Sequence, residues 1–93
     1  ALGAAVANAT LEVLDQERLC DKAEKLHPHL HTHFQAIAQE TGLLENIRGI
    51  GGIIAADFVP NCPPRFGFQV SRRAAQLGAL MRPIGNTLYW LPP

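Results

Sequence analysis

Charge of either sign is scarce and evenly matched, with eight basic residues against eight acidic ones and only 17% of the 93 residues charged. That balance leaves no basic stripe for nucleic acid or for an anionic membrane surface. Long apolar runs are missing too, and none nears the roughly 20 residues that span a bilayer. Cysteine is limited to Cys20 and Cys62. They stand far apart, form no CxxC pair and make too few for a disulfide framework, which suits a reducing, cytoplasmic compartment. The opening residues do not read as a signal peptide, and no internal repeat or low-complexity tract is found. What the chain has in quantity is apolar residue, 47%, too much for intrinsic disorder. Its length allows one small domain, which buries about 60–65% of the surface its unfolded form exposes.

The chain reads as part of something larger. It begins with Ala1-Leu2-Gly3 inside a helical pattern, with no N-cap residue ahead of it, and stops at Pro92-Pro93. Leu2, Ala5, Val6, Ala9 and Val13 recur at helical spacing, Leu11 and Leu14 widen the stripe, and the first charge is Glu12. An alanine-rich helix without charge for three turns is normally covered on more than one side, and 93 residues hold little to cover it. The expected partner is another domain or subunit; the plainer alternative is an ordinary core helix.

A second helix is expected from about Glu17 to Thr41, with Leu19, Ala23, Leu26, Leu30, Phe34 and Ile37 on one arc. The stripe continues through Pro28, so one kinked helix is expected; burial must offset the roughly 3 kcal/mol an internal proline costs. Gly42 is the natural C′ residue. The runs 43–48 and 53–59 read as strands, separated by Gly49-x-Gly51-Gly52. Residues 60–64 hold three prolines and make a loop. A third helix is expected over about 67–78, with Val70, Ala74 and Leu77 on one face and Arg72, Arg73 and Gln76 on the other. The runs 79–82 and 87–91 are expected as two short strands joined by a turn over 83–86. The order predicts an α+β fold, a small and mainly antiparallel sheet with helices on one face.

Four features invite chemistry. His27, His29, His31 and His33 alternate, but on a helix they split into two i, i+4 pairs on opposite flanks of the stripe. Each pair could hold a divalent metal, yet neither has a nearby Cys or acid to close a site, and all four read as solvated. Gly49-x-Gly51-Gly52 lacks the third glycine of a dinucleotide fingerprint and precedes a strand, so it reads as close strand packing. Lys22 and Lys25 lie among Asp21 and Glu24, where a Schiff-base amine would not be desolvated. Arg82 is the favoured site residue. Pro83 forces it extended, and a guanidinium fixed near Tyr89 and Trp90 can receive a carboxylate through two parallel hydrogen bonds.

The segment Arg82-Pro83-Ile84-Gly85-Asn86-Thr87-Leu88-Tyr89-Trp90-Leu91-Pro92-Pro93 resembles the C-terminal signature of class III pyridoxal-phosphate-dependent aminotransferases. Ile47-Arg48-Gly49-Ile50-Gly51 through Ala55-Ala56-Asp57-Phe58 is similar to the family's Val-Arg-Gly-x-Gly segment and following strand. Residues 1–11 resemble its alanine-rich helix leading into the small domain. The resemblance implies an interdomain helix over 1–16 and a small C-terminal domain over 17–93, of the type found in fold-type I transferases, with the family's final helix absent. It is strongest to members acting in biotin synthesis, and so implies amino transfer from S-adenosylmethionine to 7-keto-8-aminopelargonate. Other members take lysine as donor. By the same resemblance Arg82 binds the substrate carboxylate and Tyr89 lies near it. The implied partners are a large pyridoxal phosphate-binding domain of the same chain, a second subunit and an amino or keto acid. The family's Schiff-base lysine, pyridine-facing aspartate and phosphate-binding threonine have no counterpart here, so the 93 residues alone are expected neither to bind pyridoxal phosphate nor to catalyse.

Two other functions compete. An autonomous small-molecule or regulatory binding module should keep its first helix covered, because helices on a small sheet serve many unrelated roles. A metal-binding protein would use the histidine pairs.

Overall fold

A computed structural model describes residues 1–92. The first apolar stripe forms α1 (Leu2–Gln16), which has no side-chain N-cap bond and no buried residue. Leu2 and Leu11 are 80% and 61% exposed. Its main packing is against the next helix. Arg18 turns the chain in the left-handed region (φ 52°) and opens α2 (Leu19–Thr41), which runs unbroken through Pro28. The offset expected for that proline is present: Leu30 and Phe34 are buried and Leu26 packs beside them. Gly42 closes the helix at φ 67°, its N–H donating to Ala38 O at 2.9 Å.

The strands are β1 (Leu44–Ile50), β2 (Ile53–Phe58), β3 (Arg82–Ile84) and β4 (Thr87–Trp90), with α3 (Phe66–Gln76) between β2 and β3. They form one sheet in the order β1-β2-β4-β3, antiparallel throughout. The expected α+β architecture is therefore observed, with α2 over β1 and β2 and α3 beside β3. The β1–β2 hairpin is as tight as its glycines suggest. A Cβ on Gly49 would collide with Ile53 O, and Gly51 turns at φ 55°.

Several boundaries differ from the sequence reading: β1 continues through Gly49 and Ile50, α3 stops at Gln76, and the largest change is at β3. Residues 79–81 are not a strand; β3 begins only at Arg82 and includes Pro83 and Ile84, leaving Gly85-Asn86 as the turn. The apolar run before it is taken up in stopping α3. Gly78 turns at φ 95° and the Ala79 N–H donates to Ala74 O at 2.8 Å. Leu77, expected on the helical face of Val70 and Ala74, lies past the last helical residue and is exposed.

Alternation divides the sheet into two unlike faces. Ile54, Ala56 and Phe58 of β2 and Leu88 of β4 point toward the helices and are buried. Phe58 meets Phe66 edge-on at 5.1 Å. A hollow of about 220 Å³, lined almost wholly by carbon, lies between α2, α3 and this face, reached by Phe34, Val70 and Met81. Gly67 lets α3 approach β3: a Cβ there would meet Pro83 Cβ at 3.0 Å and Phe58 Cε2 at 3.2 Å. Among the described residues no helix covers the other face.

Candidate functional site on the open sheet face

The register aligns Arg48, Ala55, Tyr89 and Arg82 as one row across all four strands. Directly opposed residues share a face, so this row stands on the side away from Ile54 and Leu88. Arg82 opens β3 and Tyr89 lies opposite it, whereas Trp90, one residue on, packs against the helical core. Of the two aromatics expected beside Arg82, the sheet therefore brings only Tyr89 to it. A recess of about 280 Å³ is lined by Leu80, Arg82, Tyr89 and Leu91. Arg82 is exposed, and among the described residues it has neither an ion pair nor a side-chain hydrogen bond. The recess thus joins a free guanidinium and a phenol to two leucine flanks, which suits a carboxylate carried on an apolar chain.

Arg48 is treated differently. Between Glu45 and Arg48 the register slips by one residue, Asn46 taking a left-handed φ of 54°, so that two residues of β1 face one of β2. The bulge swings Asn46 and Arg48 onto Asp57. Asp57 Oδ1 accepts from an Arg48 guanidinium N–H at 3.0 Å and from the Thr87 hydroxyl at 2.6 Å. Its Oδ2 accepts from the Asn46 amide at 2.9 Å. Arg48 also donates to Asn46 O at 2.8 Å. One carboxylate thus ties β1, β2 and β4 together. The hydrogen bonds from Thr87, Asn46 and Arg48, in that order, hold the Asp57 carboxyl down at about 2, against 3.8 ordinarily.

The sequence reading missed this clamp. Its signal was present in the alternation of 53–58, where an acid takes a position opposite to Ile54, Ala56 and Phe58 in an otherwise apolar strand. What the sequence could not provide was the bulge that brings Asn46 and Arg48 to it.

The other candidates separate cleanly. His29 and His33 are solvated as expected, but His27 and His31 are half-buried. His27 Nδ1 lies 3.1 Å from Gly51 O, and the two rings are 6.1 Å apart. This flank of α2 is covered because the hairpin tip rises against it. Among the described residues no three His, Cys, Asp or Glu side chains gather as a metal site. Cys20 is exposed, Cys62 half-buried, and both are free thiols. No helix among the described residues is long and apolar enough to cross a membrane.

The described residues do not fit pyridoxal phosphate. Lys22 and Lys25 are exposed on α2, in a charged dent with Glu17, Arg18, Asp21 and Glu24, on the helical side of the sheet. Asp57 already accepts three hydrogen bonds within its own clamp and is not free to face a pyridine nitrogen.

The whole chain, residues 1–93, matches the family model for class-III aminotransferases. Adenosylmethionine-8-amino-7-oxononanoate aminotransferase of Helicobacter pylori is 28% identical over 100% of this chain and 22% of its own length. The enzyme of the same name from Synechococcus elongatus is 39% identical over 99% of this chain, again 22% of its own length. Among solved structures, acetylornithine aminotransferase from Elizabethkingia anophelis superimposes with a TM-score of 0.86 at 28% identity, covering 96% of this chain and 22% of that one. The chain thus spans about a fifth of the relatives it matches. Its fold, its C-terminal segment and its end-to-end match to the family model place it in the class-III aminotransferase family.

Proposed function

We propose that these 93 residues serve as the small C-terminal domain of a pyridoxal phosphate-dependent aminotransferase of biotin synthesis. That enzyme would move an amino group from S-adenosylmethionine to 7-keto-8-aminopelargonate. The carrying observation is the unpaired Arg82 opposite Tyr89, on a sheet face left uncovered and flanked by Leu80 and Leu91. Two relatives bearing the biotin-pathway name, aligned over nearly the whole chain, support the assignment of reaction.

In this reading Arg82 donates two parallel hydrogen bonds to the carboxylate of the keto acid. Pro83 fixes its backbone, so little order is lost on binding. Tyr89 adds a hydroxyl at the rim, and the leucines shed water from the aliphatic part of the substrate. The cofactor, its Schiff-base lysine and the second subunit belong to the rest of the enzyme, which covers the open face and α1. The exposed apolar stripe of α1 favours this reading over a self-contained binding module. Two free thiols and matched charges suit a cytoplasmic enzyme.

The test uses the full-length enzyme. Arg82→Ala should lower kcat/KM for the keto acid roughly ten- to hundredfold, about 1.5–3 kcal/mol, mainly through KM. Unchanged kinetics would remove Arg82 from the site. Comparing S-adenosylmethionine with lysine as donor checks the donor. Mixed with pyridoxal phosphate near neutral pH, the 93-residue chain alone should give no imine absorbance. A band lost on replacing Lys22 and Lys25 would overturn that expectation.

A further inference from the structure

The uncovered sheet face carries two guanidiniums, Arg48 and Arg82, in register on one row but on opposite edge strands. Three strand spacings of about 4.8 Å place their backbones roughly 14 Å apart. Two arginine side chains and a short aliphatic diacid can together span that distance. Left to itself, such a face would favour ligands with two carboxylates. The fold does not leave it so. Arg48 donates to Asp57 at 3.0 Å and to Asn46 O at 2.8 Å, and Asp57 is anchored by Thr87 and Asn46. Arg82 has no comparable acceptor among the described residues.

We propose that Asp57 is a specificity-determining residue: by engaging Arg48 it leaves Arg82, among the described residues, the one guanidinium of this face open to an anion, so the face takes a monocarboxylate on an apolar chain and gains nothing from a second carboxylate. The inference rests on reading Arg82 as the carboxylate site. The physical content is selection by removing an attraction that a competing ligand would otherwise use. Asp57 acts through Arg48 and touches no substrate, so it is not a catalytic residue. Glu45 stands opposite Asp57 across the bulge and is the other acid of this face. It could recapture a released Arg48, so a decisive variant neutralises both acids.

Calorimetric titration of the full-length holoenzyme with hexanoate and adipate separates the outcomes. The unmodified enzyme should bind the two within about threefold of each other. The double variant Glu45→Gln, Asp57→Asn should bind adipate about tenfold more tightly, the yield of one freed charge-assisted contact, with hexanoate unchanged. Adding Arg48→Met should abolish the gain. A tenfold preference for adipate in the unmodified enzyme would overturn the proposal whether or not the variant folds. So would a folded double variant that gains no adipate affinity, or that changes both ligands together as a purely structural lesion would. Arg82→Ala distinguishes the two levels. If it leaves hexanoate binding intact, the carboxylate site itself is wrong; if hexanoate binding is lost but adipate gains nothing in the double variant, only the role of Asp57 falls.

Discussion

Gly67 connects the packing of α3 to the position of Arg82, and a single methyl group tests the link. An added Cβ would sit 3.0 Å from Pro83 Cβ, 3.2 Å from Phe58 Cε2 and 3.5 Å from Gly85 O. The first two contacts are tighter than ordinary carbon–carbon packing, and neither neighbour can swing away: Pro83 is cyclic and Phe58 is held edge-on by Phe66. Overpacking of this kind costs about 1–3 kcal/mol. Alanine recovers part of that through helix propensity, less than the full ~1 kcal/mol because Gly67 lies in the first turn of α3. A net destabilisation of about 1–2 kcal/mol remains. Relief requires α3 and β3 to separate, and Arg82 immediately precedes the crowded proline. Gly67→Ala in the full-length enzyme should therefore lower the apparent Tm by a few degrees and weaken hexanoate binding several-fold, with kcat less affected. Gly3→Ala is the control, since a Cβ on Gly3 meets nothing within 4 Å; it should be neutral or slightly stabilising. A Gly67→Ala enzyme with unchanged Tm and unchanged hexanoate affinity would refute the argument that α3 sets the position of β3.

Acid titration should expose the Asp57 clamp. Its carboxyl sits at about 2 in the fold against 3.8 ordinarily, so its stabilisation is complete above about pH 4 and is lost as the pH falls toward 2. The difference is worth about 2 kcal/mol at most and about 1 after solvent screening, since the carboxylate is a quarter exposed and Arg48 nearly half. The stability gap between the unmodified enzyme and Asp57→Asn should be constant from pH 5 to 7 and close in acid; a gap that widens in acid would contradict the assignment. Gly49→Ala should disrupt the β1–β2 hairpin outright, because its Cβ collides with backbone at Ile53 rather than with a movable side chain. Soluble expression with an unchanged circular dichroism spectrum would count against that hairpin geometry.

Much of this fold could be read from periodicity because local and tertiary preferences agree. The stripe around Leu26, Leu30 and Phe34 predicts α2 through Pro28, and Gly42 stops it where αL geometry is needed. The alternation of 53–58 gives β2 and its buried face. Reading failed where an apolar run served a helix end. The run 79–81 looks like a strand, but the Ala79 N–H is already committed to Ala74 O, and pairing begins only where Pro83 imposes extension. His27 and His31 depart from expectation for a related reason: helical spacing says which residues share a flank, not that a hairpin tip will rise against it. The extended backbone at Arg82 was legible through its proline. The Asp57 clamp was not, because it depends on a one-residue slip in β1 that no local rule fixes.

That slip is what makes the open face chemically asymmetric. Without it, position 47 would oppose Ala55 and the Arg48 side chain would turn toward the helices, a costly burial of an unpaired charge. With it, β1 keeps Leu44 and Ile47 on the core and still delivers Arg48 to the uncovered side. The guanidinium must then be neutralised in place, and the only acid of β2 stands ready to receive it. On β3 no bulge is needed, because Pro83 already faces α3 and leaves Arg82 outward with no ion-pair partner among the described residues. Two arginines on one row therefore end with opposite fates. The cause is backbone register in one case and proline geometry in the other, rather than any difference in the side chains themselves.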